Sequence, residues 1–152
     1  MGVMMRLFAI VTLLFAAAPA ATQPLQLGID ILLAEQSEVL TGKHIGLVTN
    51  AAAVDAQYRS TIDRLTSAPV VRLVALFGPE HGARGDAQAG AEVADARDVA
   101  TGLPVYSLYG QAREPTPAML SGIDLIIVDL PDVGARTFTY AATVAGVLRA
   151  AK

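Results

Sequence analysis

The sequence predicts an α/β fold in which a parallel sheet is flanked by helices. Three observations carry this. Four short apolar runs recur along the chain, each ending in a polar or glycine-containing segment. Segments with apolar residues at helical spacing lie between several of them. The runs are continuously apolar rather than alternating, as strands are when helices cover both faces of a sheet.

Taken in order, GIDILLAEQSEVLTG places Ile29, Ile31, Leu32, Leu33, Val39 and Leu40 as a short helix closed by Thr41-Gly42. HIGLVTN, His44 to Asn50, is the first strand. In DAQYRSTIDRLTSA, Tyr58, Ile62 and Leu65 fall at helical spacing. The second strand is Val70 to Phe77, ended by Gly78-Pro79. LPVYSLYG, Leu103 to Gly110, is the third. EPTPAMLSGI carries Pro117 where the first turn of a short helix accepts proline. DLIIVDLPDVG holds the fourth and most apolar strand, Leu125 to Val128, and the alanine-rich stretch from Thr137 to Lys152 is the last helix.

The bulk properties narrow the class. The chain has 152 residues, 53% hydrophobic and 16% charged, with a net charge of −3. It has no basic stripe, which argues against a nucleic-acid partner. It has no cysteine, which excludes a disulfide framework and lipid attachment at a thiol. Residues 1–20 read as a signal peptide: a weakly basic start, the apolar run LFAIVTLLFAAA (Leu7 to Ala18), and an Ala18-Pro19-Ala20 cleavage site. The run is shorter than the roughly 20 residues that span a bilayer. The expectation is therefore a periplasmic or secreted protein with no stable membrane anchor. The chain stops at GVLRAAK inside its last predicted helix, which leads us to expect a truncated protein.

In open parallel sheets, ligands bind beyond the carboxyl ends of the strands. Asn50 follows the first strand, Glu80-His81 the second, Tyr109-Gly110 the third, and Asp129, Asp132 and Arg136 the fourth. Each of these out-of-place polar groups is thus predicted at one rim.

Glu80, just past a buried strand and near Phe77 and Pro79, is a candidate general acid, because partial desolvation favours the protonated form of a carboxyl. Its bland alternatives are a solvated loop glutamate or a helix-capping partner. His81 is an acid/base group, a metal ligand, or a hydrogen-bonding side chain that fixes its neighbour. With only His44 as a second histidine, a zinc set is poorly supported. The glycines from Gly78 to Gly90 do not form a G-x-G-x-x-G nucleotide cradle, and no cofactor is expected. Asp129 and Asp132 are catalytic, or else one caps the last helix while the other pairs with Arg136. Arg84 and Arg136 either grip a substrate carboxylate or pair with Asp86, Asp95 or Asp98. Tyr109 and Tyr140 stack on sugar or fill the core, and Tyr106 belongs to the core.

GLVTN, LFGPEHGARG, the stretch from Asp98 through TGLPVYSLYG, and VDLPDVGARTFTYAAT together resemble the DUF1343 family, which includes the exo-β-N-acetylmuramidases of the NamZ type. The likeness runs from about Leu27 to the C-terminus, with GPEHG and DVGAR its most specific blocks. It implies a Rossmann-like N-terminal catalytic domain, here residues 25–152, followed by a C-terminal domain that this chain lacks and that completes the cleft. It implies an exo-acting glycoside hydrolase that releases N-acetylmuramic acid from the non-reducing end of peptidoglycan fragments, so the partners are muramyl saccharides. The family's catalytic glutamate falls on Glu80. His81, Arg84, Asp129, Asp132 and Arg136 fall in the motifs lining its cleft. The resulting set is Glu80, His81, Asp129 and Asp132 for catalysis, and Asn50, Arg84, Tyr109 and Arg136 for substrate. The family's usual glutamine is replaced here by Pro131. Two other readings stand beside this one: a non-catalytic muramyl-sugar or cell-wall binding domain, and a metal-dependent hydrolase using Glu80, His81 and the aspartates.

Overall fold

The computed structural model describes residues 25–91 and 93–152; the predicted signal peptide lies outside the described residues. The elements are α1 (Gly28–Glu35), β1 (His44–Thr49), α2 (Thr61–Thr66), β2 (Arg72–Gly78), β3 (Ala96–Arg97), β4 (Pro104–Ser107), α3 (Pro117–Leu120), β5 (Leu125–Asp129) and α4 (Tyr140–Ala150). The sheet order is β3-β4-β2-β1-β5. β1 lies between β2 and β5, parallel to both, and β4 extends the parallel set beyond β2. This is the Rossmann-like arrangement expected from the sequence.

Alternation along the strands sorts the core into two layers. Leu47 and Leu76 point to one face, where Ile29 of α1 and Ile62 and Leu65 of α2 cover them. Val48, Ala75 and Phe77 point to the other, against Val147 of α4 and Met119 and Leu120 beside it. The register pairs Leu47 with Leu76 and Val48 with Phe77, so both layers are continuous across the central strands. Truncating any of these fully buried leucines costs about 2–5 kcal/mol.

Several elements differ from the sequence expectation, among them the third predicted strand, which ends as β4 at Ser107 rather than at Gly110. The first predicted helix is broken: α1 ends at Glu35, and a separate 3-10 turn, Ser37–Leu40, follows before Gly42 at φ +72°. α2 starts only at Thr61, because the Ser60 hydroxyl caps it by accepting from the Asp63 amide; Tyr58 lies outside, exposed, with φ +60°. α4 starts at Tyr140 rather than at Thr137. The short β3 runs antiparallel to β4, so the sheet is mixed at that edge. Two exposed residues, Ala96 and Arg97, carry too little pattern to be read as a strand. Nor is every strand fully covered: β1 is buried almost throughout, whereas β5, at the other edge, is half-exposed despite being the most apolar.

Candidate active site at the carboxyl rim

β2 and β5 flank β1 in parallel, so the loops that follow them leave the sheet at the same edge. They meet at Glu80. Its Oε1 accepts from the Gly90 amide at 3.2 Å, and its Oε2 accepts from the Thr139 hydroxyl at 3.1 Å. Thr139 lies three residues beyond Arg136, at the N-cap of α4. Segments 59 positions apart are therefore joined through this carboxylate.

The loop after β2 is folded back tightly. A β-carbon on Gly78 would stand 2.7 Å from the Ala83 amide nitrogen, so only glycine lets the chain return over the strand end. His81 adopts φ +72°, a conformation that costs a non-glycine residue on the order of 1 kcal/mol or more. Two hydrogen bonds hold it there. The His81 carbonyl accepts from the Ala87 amide, and Nδ1 lies 3.2 Å from the Ala87 carbonyl. A carbonyl only accepts, so Nδ1 donates in this contact. Of the three roles weighed for His81, this geometry corresponds to the side chain that fixes its loop.

Arg84 anchors the other end of the turn. It donates through Nε and Nη2 to the two oxygens of Asp98, and through Nη2 to Asp63 at 2.9 Å. Asp98 is buried at 7% exposure. The hydrogen bond from Arg84 holds its carboxyl down at about 2, against the opposing push of burial, with further donation from the Thr101 hydroxyl and amide. The same pair raises the Arg84 guanidinium, and Arg84 in turn lowers Asp63. The guanidinium suggested for gripping substrate is thus engaged by two carboxylates, one of them the Asp98 named as its alternative.

The remaining rim residues divide. Asp129 ends β5 opposite Thr49, and its Oδ2 accepts from the buried Thr61 hydroxyl at 2.5 Å. Asn50 is buried just past β1, with Oδ1 accepting from the Ala52 amide, so it shapes the turn that leaves the strand. Tyr109 lies beneath the Arg113 guanidinium, 4.3 Å from its ring centroid. Tyr106 packs on Phe77 inside the core as expected, and Tyr140 meets Phe138 edge-on. Residues 131–138, which hold Asp132 and Arg136, are exposed throughout. Asp132 accepts from the Gly134 amide at 2.7 Å. The helix cap and the Arg136 pair expected of the two aspartates are not formed: Thr139 stands at the N-cap without a side-chain cap bond, and Arg136 makes no ion pair among the described residues. On this exposed loop Asp132 bonds only its own turn.

Among the described residues, no three histidine, aspartate or glutamate side chains converge as a metal site. A cavity of about 770 Å³ opens past the carboxyl end of β4, lined in part by Asp95, Ser107, Arg113 and Thr116. Three contributors escaped sequence reasoning. Thr139 sits within the VDLPDVGARTFTYAAT block, so a signal existed. Thr61 and Arg113 had none, because their partners are distant in sequence or defined only by the fold.

Comparison with known proteins identifies the family. Residues 45–152 match the family described as Exo-beta-N-acetylmuramidase NamZ, N-terminal. The Peptidoglycan beta-N-acetylmuramidase NamZ of Bacillus subtilis (strain 168) is 52% identical over 127 residues, 84% of this chain and 31% of that protein. Two DUF1343 family proteins of Bacteroides fragilis NCTC 9343 have similar solved structures. One has TM-score 0.75 at 49% identity, covering 83% of this chain and 31% of its own; the other has TM-score 0.63 at 29% identity, covering 80% and 30%. The chain thus spans about a third of the length of the relatives it matches. It belongs to the NamZ exo-β-N-acetylmuramidase N-terminal family.

Proposed function

We propose that this chain forms one wall of the active site of an exo-acting glycoside hydrolase that releases N-acetylmuramic acid from the non-reducing end of peptidoglycan fragments. The observation that carries the reading is Glu80, held at the carboxyl rim between the loops that follow β2 and β5. Glycosidic cleavage needs a protonated acid at the leaving oxygen and a second group on the opposite face of the sugar. The surroundings of Glu80 suit the acid. The Gly90 amide only donates, so Oε1 stays an acceptor in every state. The Thr139 hydroxyl both donates and accepts, so it serves Oε2 with or without its proton. A proton delivered by Glu80 would leave from Oε2, and Thr139 would then turn its own O–H toward the carboxylate.

Asp129 is the second carboxylate in this reading. It is fixed at a strand end by Thr61, whereas Asp132 lies on the exposed loop and bonds its own turn. His81 keeps the Glu80 loop in its left-handed turn. The region of the relatives that this chain does not span supplies the opposing wall, and the protein acts in the periplasm or outside the cell. Among the described residues, no helix is long and apolar enough to cross a membrane.

The test joins this chain to the remainder of the Bacillus subtilis relative and follows sugar release from a chromogenic β-N-acetylmuramide. Glu80→Gln abolishes release while muramic acid still binds. Turnover retained by the Gln variant removes Glu80 from the mechanism. Binding without turnover in the unaltered protein leaves a cell-wall binding module instead.

A further inference from the structure

Muramic acid differs from glucosamine by the lactyl group on O3, which carries a carboxylate, so a muramidase needs a cation to read it. Neither arginine suggested from the sequence is well placed. Arg84 is already paired with two carboxylates, Asp98 and Asp63, and Arg136 lies on the exposed loop. We infer that the cavity beyond β4 is the subsite that reads the free lactyl carboxylate, with Arg113 as the specificity-determining residue; this rests on the muramidase reading above.

Four observations support the assignment. The cavity, about 770 Å³, is within the range of sites that enclose a small molecule. Arg113 lines it with its charge held 4.3 Å over the Tyr109 ring, a contact that positions the guanidinium without using any of its N–H donors. Among the described residues Arg113 makes no ion pair. The neighbouring acid, Glu114, is occupied by Arg149, with contacts of 3.0 and 3.1 Å to its Oε2. Asp95, on the cavity wall, already takes the Ser107 amide and is an acceptor suited to a sugar hydroxyl or acetamido N–H. A ligand with one carboxylate and several donors complements that pair of charges.

One helix links the Glu80 contact to the cavity wall. Thr139 touches Glu80 at the start of α4, and Gly146 on the same helix abuts Arg113 and Glu114, where a β-carbon would stand 3.2 Å from the Arg113 carbonyl oxygen. Seven residues of helix rise about 10 Å. In the inferred pose the glycosidic oxygen meets Glu80 while the lactyl group enters the cavity. Amide linkage to a stem peptide removes this negative charge, so the subsite selects muramyl ends stripped of peptide.

Calorimetry on this chain with N-acetylmuramic acid, its lactyl methyl ester and N-acetylglucosamine tests the inference. The acid should bind about tenfold or more tightly than either neutral sugar, as expected for one charge-assisted bidentate contact. Arg113→Gln should erase that preference, and Arg113→Lys should restore part of it. Equal binding of acid and ester by the unaltered chain, no binding of the acid at all, or a preference that survives Arg113→Gln overturns the subsite. Failure of the muramidase reading is scored separately, by sugar release in the joined protein.

Discussion

The two loops that meet at Glu80 are built in opposite ways. The loop after β2 is secured by its own residues: Arg84 grips Asp98 and Asp63, His81 bonds Ala87 twice, and Gly78 admits a close backbone return. The loop after β5 has little of this. Residues 131–138 are exposed, Val133 at 73%, and Thr139 ties the end of the segment to the other loop through Glu80. Both contain blocks by which the family is recognised, yet only the first is organised by this chain alone. A pinned loop carrying Glu80 beside a more exposed loop suits the cleft proposed above, whose open side a second wall would cover.

Breaking the secured side should have the largest effect on the fold. Asp98→Asn leaves Arg84 facing a neutral amide and Thr101 with a weaker acceptor. Loss of one partner from a buried pair costs about 3–5 kcal/mol; with Arg84 about a third exposed and Asp63 still bound to it, about 2 kcal/mol is expected. Denaturant unfolding would read this as a lower midpoint at unchanged slope. The acid limb of stability gives the sign independently. Asp98 titrates at about 2 when folded against 3.8 ordinarily, so as pH falls the unfolded chain takes up the proton first. Its contribution, on the order of 2 kcal/mol, is complete above about pH 4 and is lost as pH falls toward 2. Asp63, lowered mainly by the hydrogen bond from Arg84, adds in the same direction. Unchanged stability of the Asp98→Asn variant at pH 7 would mean that the loop is not pinned by this pair.

Cutting the bond between the loops should cost less stability and show itself in catalysis. Thr139→Val keeps the shape and removes the hydroxyl that serves Glu80 Oε2, so unfolding should move by about 1 kcal/mol or less. Sugar release by the joined protein should fall about tenfold in kcat/KM, with Thr139→Ser retaining most of it. Equal rates for Val and Thr at this position would show that Glu80 needs no hydroxyl partner.

The contrast between the loops also explains what could be read in advance. β1, β2 and β5 were legible because an apolar run between polar ends has one stable outcome in a sheet. The rim placement of Glu80, Asp129 and Asn50 follows from strand direction alone. What was not legible depends on long-range partners. Nothing local in TIDRL says that Thr61 will meet Asp129, 68 positions away, or that Arg84 will be taken by Asp98 rather than by substrate. The start of α4 was misplaced for a related reason: Thr137 and Phe138 have an acceptable composition for a helix, but Thr139 turns to Glu80 before the helix begins.

The smallest effect should come from Asp132. Its carboxylate accepts from the Gly134 amide, an Asx turn that suits the φ of +72° at that glycine, and it stands on the surface. Asp132→Ala should therefore change stability by no more than about 0.5 kcal/mol. Its consequence for turnover separates the two aspartates. If Asp129 is the second carboxylate, Asp132→Ala relaxes a loop that is already loose, and sugar release drops by less than tenfold while Asp129→Asn nearly eliminates it. A loss of a hundredfold or more at Asp132, with Asp129→Asn spared, would reverse the roles. The exposed loop would then have to fold inward on binding, and the looser of the two loops, not the pinned one, would carry half of the chemistry.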